Sequence, residues 1–442
     1  MGKKRAAGGE GGGGKAKGLT EFAGALRRQL ADKTNLARAF DIGGSGVKTG
    51  LLGAVALRDF LRPDGDSSTA ATTEPDGANE LSVEDFGAEL QWIEQPVLLG
   101  AAPGEDGFRE WLLEALPRLR REVDDPNMCF GVSVGGEVIH ASGILEDWWP
   151  GGGHPRELDH VHPKPLVADI MGLPPGRTFV LHDGEAHLLG CSRRAVPPPG
   201  LACLAIGTGV GIGVTDGAGA VVDATTKEGK PSICLSGIPL SGAPYQGIWR
   251  QWLDLPGGTS ERVDDLMGKE FANMKKPWRF PWVSLVLGRR GMELAEAVYN
   301  CPEPSEDGGD DETRAPAVRA YGEQWLHFLH TQFVPQMCSP TRRHPVEQIC
   351  FAGGVAERNW ALLQEVMVEP GTNLLLPHSS EIEAASAAGS GKKKQPKGSG
   401  GRGKRVPRVA VLPPAPSGSA LIGAAVYALA GSGGSASGIW AQ

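Results

Sequence analysis

Three times in this chain a short apolar run ends abruptly in a glycine turn. Ala37 to Ile42 runs into Gly43-Gly44-Ser45-Gly46, Leu201 to Ile206 into Gly207-Thr208-Gly209, and Gln348 to Ala352 into Gly353-Gly354. Short apolar runs bounded by glycine are the pattern of buried strands. A second apolar run follows the first two turns, Thr49 to Val55 and Val210 to Val214, which makes each a β-hairpin. The third turn leads into a helical pattern from Ala356. Turns without side chains let phosphate oxygens reach backbone amides, and Thr208 adds a hydroxyl. Asp41 sets a carboxylate beside the first turn, where it can orient a hydrated Mg²⁺. A double glycine between strand and helix leaves room for a flat ring or a ribose. One such hairpin is an ordinary glycine-rich turn; repetition in this order carries the reading.

In that order the turns resemble the phosphate-1, phosphate-2 and adenosine motifs of the actin-like ATPase fold, shared by hexokinases, actin and Hsp70. Within that fold the chain resembles the ROK (repressor, ORF, kinase) family of sugar kinases. Its Asp41-Ile42-Gly43-Gly44-Ser45-Gly46-Val47-Lys48 is similar to the Asp-Ile-Gly-Gly-Ser-Gly-Ile-Lys of polyphosphate/ATP-glucokinases. The resemblance spans roughly residues 36–240 and 345–430. It implies an α/β protein of two ribonuclease-H-like domains with a nucleotide cleft between them. ATP or polyphosphate would be the phosphoryl donor, with Mg²⁺ held indirectly through Asp41. Gly43, Gly44, Ser45, Lys48, Gly207, Thr208 and Gly209 would face phosphates, and Gly353 and Gly354 the adenosine.

Phosphoryl transfer to an alcohol also needs a carboxylate to take the hydroxyl proton. Asp183 is the candidate: the apolar run Thr178 to Leu181 delivers it to the start of a helix expected to continue through Leu189. A helix N-cap aspartate is the plain alternative. The segment His182-Asp183-Gly184-Glu185-Ala186 aligns with the family's Asn-Asp-Ala-Asn-Ala, which implies catalysis by Asp183 and an acceptor contact from His182. The departures from the family gather at the sugar. His182 replaces an asparagine. Ile144-Leu145-Glu146-Asp147-Trp148 keeps only the tryptophan of Asn-Leu-x-x-Trp, and Glu228-Gly229-Lys230 lacks the histidine of Glu-x-Gly-His. Trp148 and Glu228 remain the acceptor candidates. Each lost polar contact to a hydroxyl costs on the order of 1–3 kcal/mol, so the acceptor need not be glucose.

With 442 residues, the chain has length for more than one core. Its net charge of −8 gives no pull toward nucleic acid or an anionic membrane, and no apolar run is long enough to cross a bilayer. Seven cysteines, an odd number without a Cys-x-x-Cys pair, predict reduced and mostly buried thiols in an intracellular protein. Many ROK kinases hold zinc with a Gly-His followed by a tight cluster of cysteines; the chain has no such cluster, so the resemblance implies no structural zinc. The segment holding His154, His160 and His162 lies among prolines and glycines and reads as a surface loop without metal. His187 reads as a packing histidine.

The expected domain plan begins with a basic, largely disordered tail over 1–35. Its Leu19 to Leu30 stretch alternatively forms a short amphipathic helix, which leaves organellar targeting open beside a cytoplasmic location. A first domain follows over 36–178, with a helix expected over Gly107 to Leu116 and a buried strand over Met128 to Val134. The second domain, 179–416, carries a helical insert at 254–344, an acidic connector from Glu303 to Glu312, and a basic disordered loop at 384–408. Nuclear localisation or polyanion binding is the alternative for that loop. A closing helix over 417–430 packs back on the first domain. The partners are then a sugar and a nucleotide, with a homodimer also admitted. A sugar or nucleotide sensor that keeps the kinase fold without catalysis is the rival; a ROK repressor is disfavoured because no helix-turn-helix pattern precedes Asp41.

Overall fold

In the computed structural model the described residues are 12–43, 46–61, 90–99, 125, 127–135, 137–139, 144–146, 175–222, 246–254, 256, 283–301, 311–339, 345–377 and 408–440. The chain opens with α1 (Gly12–Ala31), the hairpin β1 (Leu36–Gly43) and β2 (Gly46–Gly53), and α2 (Ala54–Phe60). Then come β3 (Glu94–Leu99), β4 (Met128–Val134), a small ribbon of β5 (Glu137–Ile139) and β6 (Ile144–Glu146), β7 (Thr178–His182) and α3 (Asp183–Ser192). A second hairpin, β8 (Leu201–Ile206) and β9 (Val210–Val214), precedes the helices α4 (Gln246–Asp254), α5 (Val283–Leu287), α6 (Arg289–Val298) and α7 (Asp311–Phe328). The last elements are β10 (Gln348–Ala352), α8 (Gly354–Met367), β11 (Ala410–Val411) and α9 (Ser419–Ser432).

Two compact units emerge: Met1–Ala205 with Gly211–Ser232 and Ala415–Gln442, and Ile206–Val210 with Ile233–Pro414. The first is built on a five-stranded sheet of order β3-β2-β1-β4-β7. β2 is antiparallel to β1 and β3, while β1, β4 and β7 run parallel. The chain is thus an α/β protein, and in this sheet β2 alone runs against the other strands. The other sheet has the order β11-β10-β8-β9.

Burial explains the first unit's layering. Every residue of β4 is buried, and so is every residue of α9 from Ser419 to Ala430. A helix apolar on all sides needs cover on all sides, and α9 finds it against β1, β4, β7, α3 and α1. Glycines permit the close approach. A Cβ on Gly131 would stand 2.1 Å from Ala424 O, one on Gly190 1.9 Å from Ser419 O, and one on Gly423 1.8 Å from Ala186 O. The Tyr427 ring meets Phe179 edge-on at 6.3 Å and Trp440 at 5.7 Å. His187 Nδ1 lies 2.7 Å from Ser419 Oγ, a packing contact that ties α3 to α9.

In the second unit, Phe351 of β10 packs between Trp325 and Trp360, at 5.8 and 5.6 Å between ring centroids. Trp325 Nε1 donates to Leu287 O at 3.1 Å, so its buried N–H is satisfied.

Several boundaries differ from expectation. Within 12–35 the alternative of an amphipathic helix holds in place of a disordered tail, because α1 covers Gly12–Ala31 and buries Leu19, Phe22, Ala23, Ala25, Leu26 and Leu30. That apolar stripe at helical spacing packs on α9, α2 and the single turn Ala436–Ile439. The helix α7 starts at Asp311, inside the expected acidic connector, where acidic residues favour a helix N-terminus. The returning strand of the first hairpin ends at Gly53 instead of Val55, since α2 begins at Ala54. The helix after Gly353 begins two residues earlier than expected, at Gly354. The expected helix over Gly107 to Leu116, the histidine-rich segment and the basic loop at 384–407 lie outside the described residues. Among the described residues no helix is long and apolar enough to cross a membrane.

Candidate active site

Parallel strands β1, β4 and β7 bring their carboxyl ends to one edge of the first sheet. Asp41 is in register with Ser133, Ser133 with Leu181, and Val134 with His182. Asp41 and the end of β7 are therefore two strand spacings apart, roughly 10 Å. In open α/β sheets this edge is where ligands bind.

Asp41 is half-buried, and the fully buried Ser133 donates its Oγ–H to Asp41 Oδ1 at 3.0 Å. That bond fixes the carboxylate and leaves Oδ2 for a ligand. Lys48 is the cross-strand partner of Asp41 in the hairpin and is exposed. Gly43 ends β1, and a Cβ there would meet only Gly46 O, at 4.0 Å. Gly44 and Ser45 at the tip of the turn lie outside the described residues, as do Trp148 and Glu228.

At the end of β7 the chain turns into α3 through a capping box. The His182 ring takes the N-cap place usually held by Ser, Thr or Asp. Its Nδ1 accepts from Gly184 N–H at 3.2 Å, and Glu185 Oε2 accepts from the His182 N–H at 3.0 Å. Asp183, the first helical residue, has Oδ1 2.6 Å from Gly184 N and 3.1 Å from His182 Nε2. Its side chain is 34% exposed, against 18% for His182, so the carboxylate stays open to a ligand.

Strand β9 is shaped to admit this helix start. A Cβ on Gly211 would lie 2.6 Å from Asp183 Oδ1, and one on Gly213 2.3 Å from Gly184 O. A Cβ on Gly184 would likewise stand 2.6 Å from the Ile212 backbone. The alternating glycines of Val210-Gly211-Ile212-Gly213-Val214 thus have a packing function that the turn reading did not include.

The second unit holds the other glycine turns. Gly207 N–H donates to Gly209 O at 2.9 Å, and Arg289 N–H to Gly207 O at 2.8 Å. A Cβ on Gly207 would have nothing within 4 Å, which leaves the turn open. Thr208 and Gly209 are half-buried. Gly353 is buried with φ 86°, and a Cβ there would stand 2.5 Å from Ile206 O. This close approach in a left-handed conformation requires glycine. Gly354 begins α8 and keeps open space, with only Arg358 Nη2 at 4.0 Å.

Ser133 and Glu185 are the members of this arrangement that sequence reasoning missed. Glu185 carried a usable signal, the capping-box spacing to His182; Ser133 carried none.

No family model matches the sequence, and no curated protein matches it. The solved structures similar to the chain are mostly ROK family sugar kinases and glucokinases. A ROK family protein from Streptococcus pneumoniae TIGR4 in complex with sucrose is 15% identical, with a TM-score of 0.43 over 89% of this chain and 98% of that one. Inorganic polyphosphate/ATP-glucomannokinase from Arthrobacter sp. strain KM is 12% identical, with a TM-score of 0.43 and the same coverage, 89% and 98%. A ROK family transcriptional regulator, a homologue of the E. coli MLC protein, is 12% identical, with a TM-score of 0.42 over 93% and 89%.

Proposed function

We propose that the chain phosphorylates a sugar hydroxyl, with ATP or polyphosphate as donor and Mg²⁺ as the metal. The observation that carries this reading is Asp183: a partly exposed carboxylate at the end of a parallel strand, with one oxygen held by the Gly184 amide and the other free. Such a group is placed to act as a general base.

The donor set at Asp41 fits Mg²⁺. A single half-buried carboxylate, with one oxygen already bonded to Ser133, suits an ion that keeps most of its own water and binds through one or two carboxylates. Bound there, the metal would neutralise charge on the transferring phosphate. The open turn at Gly207 and the Gly354 amide end of α8 supply backbone donors without side-chain obstruction, as phosphate and adenosine contacts require.

In the reaction the acceptor oxygen bonds to the terminal phosphorus while the bridging P–O bond breaks. Asp183 Oδ2 takes the hydroxyl proton, and the leaving phosphate carries away the electron pair. Closure around the substrates would exclude water, which would otherwise hydrolyse the donor. The acceptor is a sugar whose identity the altered residues at His182, Trp148 and Glu228 set.

A non-catalytic sensor is the second reading, favoured by the turn of His182 back onto its own helix. A thermal-shift screen of nucleotides, polyphosphate and sugars, followed by a coupled kinase assay on the hits, separates the two. Sugar-dependent ADP formation or polyphosphate consumption supports the kinase; binding of both ligands without turnover supports the sensor.

A further inference from the structure

We propose that the cleft between α4, α7 and α8 binds a small aliphatic amine, at a place apart from the residues of the kinase reading. The cleft has a volume of 640 Å³, which falls in the usual span of ligand sites, roughly 300–1,000 Å³. Its polar lining is Gln251 from α4, Arg319, Glu323 and His327 from α7, and Glu365 from α8. Leu326 and Val366 supply the apolar part. Gly322 lets α7 lie close on α8 beside it, since a Cβ there would stand 3.2 Å from Val366 Cβ. Glu365 lies near the far end of α8 from Gly354, roughly 16 Å along the helix axis.

The charges in the cleft select the ligand. Arg319 Nη2 donates to Glu365 Oε2 at 2.9 Å, so these two opposite charges answer each other. Glu323 is exposed and has no hydrogen-bond or ion-pair partner among the described residues. Its charge is felt at Tyr299, whose hydroxyl is held above its ordinary range by burial first and by Glu323 second. The cleft therefore keeps an unanswered carboxylate, which repels phosphates and carboxylates and attracts an ammonium group.

An unmet hydrogen bond points the same way. Gln251 is half-buried, and its Oε1 is buried without a partner. Trp252 Nε1 on α4 and Gln324 Oε1 on α7 are in the same state. Buried polar atoms are ordinarily bonded, so the Gln251 carbonyl gains a bond by turning to an N–H held in the cleft. The matching ligand has one ammonium for Glu323, a further N–H for Gln251, and methylenes for Leu326 and Val366.

Isothermal titration of the full chain with 1,4-diaminobutane tests this, in about 150 mM salt to screen loose surface attraction. Uncharged 1,4-butanediol is the control. The parent should bind the diamine saturably at one site, and the diol at least about tenfold more weakly. Glu323→Gln should lower diamine affinity about tenfold or more. Gln251→Leu should lower it about threefold or more while the melting temperature holds or rises, because the change removes a polar atom that has no partner. Absence of saturable binding to the parent, equal affinity in Glu323→Gln, or diol binding as tight as diamine binding would overturn the proposal. None of these readouts uses turnover, so they stand or fall apart from the kinase reading.

Discussion

Gly211 and Asp183 share one small space: a Cβ at position 211 would lie 2.6 Å from Asp183 Oδ1 and 3.1 Å from its Cγ. The carboxylate holds its place only because the strand beside it has no side chain there. Gly211→Ala should therefore push Asp183 off its bond to Gly184. The expected outcome is a folded protein with kcat reduced about tenfold or more and a stability loss of about 1–3 kcal/mol. Kinetics together with a denaturant melt check this; an unchanged kcat would show that the approach is tolerated.

Ser133 serves the other carboxylate. Ser133→Ala removes the Oγ–H bond to Asp41 Oδ1 and frees that oxygen. The Mg²⁺ concentration giving half-maximal donor binding should shift about tenfold or more, in line with about 1.5–3 kcal/mol for one hydrogen bond to a charged group. Isothermal titration at varied Mg²⁺ measures it. An identical Mg²⁺ dependence would mean that Asp41 does not attend the metal.

Gly353 combines a left-handed φ of 86° with a neighbour, Ile206 O, 2.5 Å from where a Cβ would stand. Gly371 shares the sign, with φ 74°, but has nothing within 4 Å. Gly371→Ala should cost only the backbone strain, about 1 kcal/mol, whereas Gly353→Ala should cost about 3 kcal/mol and weaken nucleotide binding. Equal melting temperatures for the two variants would contradict the close approach.

The helix pair α3 and α9 sets where α3 begins. In Gly423→Ala the new methyl would meet Ala186 O at 1.8 Å and must displace one helix. A stability loss of about 2 kcal/mol or more is expected, with a lower kcat because α3 carries Asp183 at its start. A thermal melt with parallel kinetics tests the coupling; normal kcat in a destabilised protein would confine the effect to packing.

Much of this was legible because glycine punctuation is local. The strand ends at Gly43, Gly207 and Gly353 were visible as apolar runs broken by residues that no strand interior favours. The strand Met128–Val134 was visible as an unbroken apolar run, which β4 realises with every residue buried. What escaped depends on distant partners. Ser133 looked like a small polar residue inside a buried strand, and its partner Asp41 lies 92 positions away. The stripe on α1 has meaning only against α9 and the turn at Ala436–Ile439, from the opposite end of the chain. His182 drew attention as a change at the acceptor, yet its ring accepts from Gly184 N–H, two residues on, and lies 3.1 Å from Asp183 Oδ1, one residue on. Family patterns show which residue differs, while the rotamer decides what it touches.

The central claim is that Asp183 takes a proton from a sugar hydroxyl during phosphoryl transfer. The direct test is the sugar-dependent turnover of Asp183→Asn with Mg-ATP, and with polyphosphate, beside its nucleotide affinity by titration. The amide cannot accept the proton, so turnover should fall by about 10² or more while nucleotide affinity stays nearly unchanged. Near-normal turnover in the folded variant would contradict the account.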